Sequence, residues 1–213
     1  MGNSISNLTS YNFFCKQLRI VLIGLDNAGK TTLFYQIMFK QEIPSPAPTT
    51  AFNAKTIQLL KNIKLDIWDT TGSSAFRPLW KAYVRKSDAI VFVIDSSDNV
   101  RFDEAKIELE LIVNSKETKG IPVLIVANKQ DLSFSVSPID IAQKLQLDSL
   151  AESVNWHVYP ISARHGTGVD DMLLKLAEII AMNKVDLKRT KSGTIIESSS
   201  LTSFEKIQAS EFV

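Results

Sequence analysis

The segment Gly24-Leu25-Asp26-Asn27-Ala28-Gly29-Lys30-Thr31 fits the pattern G-x-x-x-x-G-K-[ST], and its flanks leave little choice of fold. Before it stands the apolar run Arg19-Ile20-Val21-Leu22-Ile23, which reads as a buried strand. After it, Thr32-Leu33-Phe34-Tyr35-Gln36-Ile37-Met38 reads as the opening of a helix. Strand, glycine loop and helix in that order are the context in which this pattern binds phosphate. Glycine lets the loop curl until successive N–H groups point inward, and the helix N-terminus adds positive dipole. Lys30 is placed to neutralise β- and γ-phosphates, and the Thr31 hydroxyl to hold Mg²⁺.

The base is addressed elsewhere. Asn128-Lys129-Gln130-Asp131 follows a second apolar strand, Pro122-Val123-Leu124-Ile125-Val126-Ala127, and so emerges where open α/β sheets bind ligands. A carboxylate there can accept two hydrogen bonds, from the N1–H and the exocyclic amine of guanine. Adenine offers neither in that arrangement. Charge-assisted bonds contribute roughly 1.5–3 kcal/mol each, so losing both discriminates strongly. After the strand His157-Val158-Tyr159-Pro160-Ile161, the backbone N–H groups of Ser162-Ala163-Arg164 are expected to close over the base. A P-loop kinase, which the glycine loop alone would permit, needs a lid and a second-substrate site and has no use for Asp131.

The chain has 213 residues and reads as one domain with a tail. A net charge of +1 without a large basic cluster argues against nucleic acid. No apolar run approaches the ~18 residues of a membrane span. The single Cys15 excludes an internal disulfide framework, and the expected compartment is cytoplasmic. Strands are expected near 18–24, 53–60, 63–69, 88–95, 121–128 and 155–161, and helices near 30–39, 76–86, 99–115, 138–147 and 169–182. This alternation predicts an α/β fold of the P-loop type, a mostly parallel six-stranded sheet with helices on both faces. Only Lys61-Asn62 separates the runs 53–60 and 63–69, so they form an antiparallel hairpin at one edge. Residues 1–16 read as an N-terminal amphipathic segment, 17–183 as the globular domain and 184–213 as a disordered tail. Leu109, Leu111, Ile112 and Val113 read as core. His157 and His165 show no metal-ligand spacing.

These motifs resemble the Arf and Arf-like branch of small GTPases over roughly residues 1–182. The resemblance is carried by residues 24–32, by Pro48-Thr49 with Phe52-Asn53, by Trp68-Asp69, by Arg77-Pro78-Leu79-Trp80 and by Ala127-Asn128-Lys129-Gln130-Asp131-Leu132. Met1-Gly2-Asn3, Trp80-Lys81-Ala82-Tyr83 and the tail look most like the fourth Arf-like subgroup. The resemblance implies GTP/GDP and Mg²⁺ as ligands, together with an exchange factor, a GTPase-activating protein and effector proteins, for a monomer. Thr49 matches the first-switch threonine on Mg²⁺, and Asp69 the acidic residue that orients the ion through water. Gly72 matches the glycine whose N–H senses the γ-phosphate, and Asn128, Lys129 and Asp131 the guanine site.

Three positions depart from the family pattern. Where hydrophobic-Gly-Gly-Gln follows Trp-Asp, this chain has Thr70-Thr71-Gly72-Ser73. The glutamine that orients the attacking water is thus Ser73, which is too short to bridge in the same way. Thr71 replaces the first glycine with a β-branched residue. Ala51 replaces the glycine of the first switch. The segment from Thr49 to Asp69 is also one residue longer than usual. The binding residues are therefore in place, whereas hydrolysis by Lys30, Gly72 and Ser73 is expected to be slow. The other reading is a GTP-loaded module that does not hydrolyse.

Alternation places Ile63, Leu65 and Ile67 on one hairpin face and Trp68 on the other, with Phe52 on the same side as Ala54, Thr56 and Gln58. Phe52, Trp68 and Tyr83 match the family's effector triad. The alternative is that they cap the core edge. Met1-Gly2-Asn3-Ser4-Ile5-Ser6 fits N-myristoylation at Gly2, and Ile5, Leu8, Tyr11 and Phe14 follow at helical spacing. Such a segment can lie on a bilayer or pack on the domain. One acyl chain binds membranes marginally, so a second signal is needed. It could come from that apolar face, from Lys184, Lys188, Arg189 and Lys191, or from an acylated Cys15, although a packed free thiol fits Cys15 better. The expectation is a peripheral protein of an endomembrane or the plasma membrane.

Overall fold

Two strands, β4 (Ala89–Asp95) and β5 (Val123–Asn128), are apolar along almost their whole length, as strands covered on both faces must be. They are neighbours inside a six-stranded sheet in the computed structural model, which describes residues 16–41, 46, 49, 52–150 and 155–191. The other strands are β1 (Lys16–Ile23), β2 (Phe52–Leu60), β3 (Ile63–Thr70) and β6 (Trp156–Pro160). The order is β2-β3-β1-β4-β5-β6, and only the β2–β3 pair is antiparallel. The helices are α1 (Lys30–Phe39), α2 (Trp80–Val84), α3 (Phe102–Val113), α4 (Pro138–Lys144), α5 (Leu147–Leu150) and α6 (Val169–Lys191).

Alternation along β1 divides the core. Leu18, Ile20 and Leu22 pack on one side with α1 and α6, burying Leu33, Ile37, Leu173, Leu176 and Ile180. Val21 and Ile23 face the other side, with Trp80, Leu109, Ile112, Ile141 and Trp156. Helices thus cover both faces, as the strand–helix alternation predicts.

Four details differ from expectation. The helix expected over 76–86 is a 3₁₀ turn, Ser74–Leu79, followed by the short α2, because Pro78 lacks the N–H that a continuous helix requires. The helix expected over 138–147 stops at Lys144, and α5 follows separately. Leu111, expected in the core, is exposed. The buried stripe of α3 runs through Ala105, Leu109, Ile112 and Val113, and Leu111 lies two positions from Leu109 on the opposite side. Finally, α6 continues to Lys191, past the expected end at 182. Among the described residues, Asn183 and Lys184 tie that extension to the body. Asn183 Nδ2 donates to Gly120 O at 2.8 Å, and Lys184 pairs with Asp88. Lys184, named above among the cations for a membrane, is therefore engaged within the fold.

Candidate nucleotide-binding site

The carboxyl ends of β1, β3, β4 and β5 meet at one rim of the sheet, where the strand order turns about β1 and a crevice opens. Residues 24–31 cross that rim. Gly24 has φ 139°, and a Cβ there would stand 2.2 Å from Val93 O. Gly29 has φ 90°, and its Cβ would stand 2.3 Å from Asn128 Nδ2. Only glycine fits either place. Lys30 opens α1 and turns back into the loop, its Nζ donating to Gly24 O at 2.8 Å and Leu25 O at 2.7 Å. It is 5% exposed. Burial pushes its pKa down to about 8, against the opposing pull of the Asp69 and Asp26 charges.

Beside the loop lies an oxygen cluster. Thr31 Oγ1 and Thr49 Oγ1 are 2.7 Å apart, and both donate to Asp69 Oδ2, at 3.0 and 3.3 Å. Asn53 Nδ2 adds a bond to the same oxygen at 3.2 Å. Asp69 Oδ1 is buried without a hydrogen-bond partner among the described residues. Burial raises the Asp69 pKa, while the bonds from Asn53, Thr31 and Thr49 and the nearby Lys30 oppose that rise. Two hydroxyls and a carboxylate with one oxygen to spare form a donor set suited to a hard, oxygen-seeking cation such as Mg²⁺. Among the described residues no group of three His, Cys, Asp or Glu side chains offers another metal site.

At the base end, Asn128 is 2% exposed and spends both ends of its amide on other loops. Its Nδ2 donates to Ala28 O, and its Oδ1 accepts from Ala163 N–H, both at 2.9 Å. The Ser162 N–H donates to Thr167 O at 3.0 Å. The N–H groups of Ser162 and Ala163, expected over the base, are thus engaged inside the protein, where they brace the site. Lys129 has φ 66° and sets Nζ 2.5 Å from Asp95 Oδ2. That bond, with those from Ser97, holds the Asp95 carboxyl below the usual range although burial alone would raise it. Asp131 Oδ2 lies 3.8 Å from His165 Nε2. Sequence reasoning missed Asp95, although its place at the end of β4 is a signal of the kind that locates rim residues.

The segment after Asp69 lies against the loop. A Cβ on Gly72 would stand 2.4 Å from Asp26 N and 2.6 Å from Gly24 O. Its neighbours are tied by side chains. Thr71 is buried, its Oγ1 accepts from Ser73 N–H at 3.3 Å, and its carbonyl accepts from Trp80 Nε1 at 3.0 Å. Arg77 Nε donates to Gly72 O at 2.9 Å. Ser73 itself points to solvent.

Phe52, Trp68 and Tyr83 come together in one cluster, in which Phe52 is exposed while Trp68 and Tyr83 are half-buried and pack against the core edge. Phe52 and Trp68 stack with centroids 5.1 Å apart and planes 7° apart, and Tyr83 stands 5.7 Å from Phe52 and 6.3 Å from Trp68. Arg19 covers the Trp68 ring at 4.6 Å, and Trp68 Nε1 donates to Asp66 Oδ2 at 3.0 Å. Phe52 is 44% exposed. Gly2, Ile5, Leu8, Tyr11, Phe14, Cys15 and Ala51 lie outside the described residues, as do the side chains of Lys188, Arg189 and Lys191. No helix among the described residues is long and apolar enough to cross a membrane.

Comparison with known proteins gives the same placement. Residues 4–180 match the model of the ADP-ribosylation factor family. ADP-ribosylation factor-like protein 4A of Homo sapiens is 42% identical over 202 residues, covering 90% of this chain and 98% of the relative. Protein 4C of the same series, also from Homo sapiens, is 40% identical over 195 residues, covering 90% and 99%. ADP-ribosylation factor-like protein 3 of Caenorhabditis elegans is 42% identical over 156 residues, covering 73% and 84%. Among solved structures, the Arl6 (BBS3) small GTPase from Trypanosoma brucei, described with bound GppNp, superposes with a TM-score of 0.71 at 27% identity, covering 79% of this chain and 99% of that one. The chain therefore belongs to the ADP-ribosylation factor family of small GTPases, among its Arf-like members.

Proposed function

We propose that this chain is a Mg²⁺-dependent guanine-nucleotide switch that recruits effectors at membranes and hydrolyses GTP slowly. The observation that carries nucleotide binding is Asn128, which joins the phosphate loop at Ala28 to the Ser162-Ala163 loop and so fixes Asp131 relative to Lys30. The Asp131 carboxylate accepts from the guanine edge. The N–H groups of the loop and Lys30 receive the phosphates. Thr31, Thr49 and Asp69 would hold Mg²⁺, which supplies charge neutralisation at the β- and γ-phosphates. The Gly72 N–H reads the terminal phosphate, and water attacks it in line while the lysine and loop amides stabilise the developing charge. Phe52, exposed and backed by the half-buried Trp68 and Tyr83, forms an aromatic anchor beside the switch segments, suited to a protein partner. Mass determination of the nucleotide retained by freshly purified protein tests the reading. GDP or GTP is expected, and equal competition by ATP and GTP overturns it.

Lys30 adds a pH dependence with a definite sign. In the free protein it loses its proton near pH 8. Bound phosphate favours the charged form and raises that value, so binding takes up a proton above pH 8 and weakens as pH rises. GDP affinity is expected to be flat below that value and to fall by up to about tenfold per unit above it. Titration calorimetry at several pH values, with the accompanying proton uptake, checks this.

Attachment to membranes is assigned to myristate on Gly2 with the apolar residues that follow. Gly2→Ala is expected to move most of the protein into the soluble fraction of cells. Equal partition of mutant and wild type would exclude acylation as the anchor.

A further inference from the structure

Within the phosphate loop the G-x-x-x-x-G-K-[ST] pattern leaves Asp26 unassigned, and two arginines flank its half-exposed carboxylate. Arg101 Nη1, just before α3, is 3.2 Å from Asp26 Oδ1, and Arg77 Nη2, from the segment after Gly72, is 3.4 Å from the same atom. Arg101 Nη2 also donates to the Asp26 carbonyl at 3.1 Å. Both arginines are held from behind. Arg101 Nε sits 2.6 Å from Asp98 Oδ2, and Arg77 Nη1 sits 2.7 Å from Glu104 Oε1 and 3.0 Å from Glu108 Oε1. Charges therefore alternate from Asp98 through Arg101, Asp26 and Arg77 to the two glutamates of α3.

The position of this chain of charges gives it a consequence. Gly72 lies directly against the Asp26 amide, so Asp26 stands where the loop meets the segment that reads the terminal phosphate. Coulomb repulsion falls with distance, so a bare carboxylate at that end of the loop opposes a triphosphate more than a diphosphate. We propose that Arg77 and Arg101 hold the Asp26 carboxylate toward α3, away from the phosphates, and thereby set the preference of the site for GTP over GDP. This rests on the guanine-nucleotide reading above. Arg77 also fixes the Gly72 carbonyl, so the residue that holds the carboxylate orients the residue that reads the phosphate. Both arginines are positioning residues that act through Asp26. Through Glu104 and Glu108, the α3 surface acquires a line to nucleotide preference.

The experiment compares GppNp and GDP affinities, with Mg²⁺, for the full chain and its Arg101→Ala, Arg77→Gln, Asp26→Asn and Arg101→Ala/Asp26→Asn variants. Arg101 is partly exposed, so its variant tests the idea even where Arg77→Gln fails to fold. Arg101→Ala is expected to lower the ratio of GppNp to GDP affinity by about fivefold, the scale of one partly screened charge. Asp26→Asn is expected to raise that ratio, and in its background the loss caused by Arg101→Ala should vanish. Equal weakening of both nucleotides, or a loss that persists without the carboxylate, would overturn the inference. Wild-type protein that binds neither guanine nucleotide would instead overturn the reading on which it rests.

Discussion

Asp131→Asn is expected to reverse the base preference, weakening GDP and strengthening the xanthine analogue. Guanine presents two donors to the carboxylate, whereas xanthine carries a carbonyl in place of the amine. The asparagine amide would meet guanine with a donor facing a donor, and xanthine with a donor facing an acceptor. Two charge-assisted bonds at roughly 1.5–3 kcal/mol each correspond to a change of about 10²–10⁴-fold in relative affinity. Competition of GDP and xanthosine diphosphate against a fluorescent nucleotide measures it. Unchanged GDP affinity would place the base elsewhere on the rim. The variant should remain folded, because the brace across the site belongs to the buried Asn128 rather than to Asp131.

The second large effect concerns hydrolysis. Ser73, where the family resemblance expects a glutamine, points to solvent, and Thr71 holds its N–H through Oγ1. Thr71 is also fixed at its carbonyl by Trp80. Lengthening residue 73 alone therefore leaves the backbone in the grip of Thr71. Thr71→Gly with Ser73→Gln is expected to speed single-turnover release of the γ-phosphate by about 10²-fold, the usual cost of a nucleophile held out of line. Ser73→Gln alone should give less. A wild-type rate equal to that of glutamine-containing relatives under the same conditions would show that another residue positions the water.

Most of the fold is legible in local patterns. The apolar runs at 19–23, 88–95 and 122–127 are strands because no other element hides both faces of so short a segment. The hairpin follows from Lys61-Asn62, and period-two alternation places Trp68 on the same face as Phe52. The phosphate loop is legible because its chemistry demands residues at fixed spacing. Less of the remaining site is legible, because it depends on contacts distant in sequence. Asn128 bridges two loops, and nothing local announces that. Asp26 occupies a variable position of its motif, and its arginines come from residues 77 and 101. Leu111 misleads because a helix periodicity misplaced by two positions exchanges core for solvent. The end of α6 is not legible because the contacts of Asn183 and Lys184 reach Gly120 and Asp88, far away in sequence.

The indole bond of Trp80 has a practical side. The chain holds three tryptophans in three surroundings. Trp156 is sealed in the core beside β5, Trp68 is half-open in the aromatic cluster, and Trp80 is buried with its N–H on the Thr71 carbonyl. Emission from a buried indole shifts with the dipoles around it, and a soluble quencher reaches only an open one. Movement of the Thr71–Ser73 segment would therefore change the colour of the light from Trp80, while docking at the Phe52–Tyr83 cluster would shield Trp68 from quencher. The protein carries, without any label, separate optical reporters of the Thr71–Ser73 segment and of the aromatic cluster.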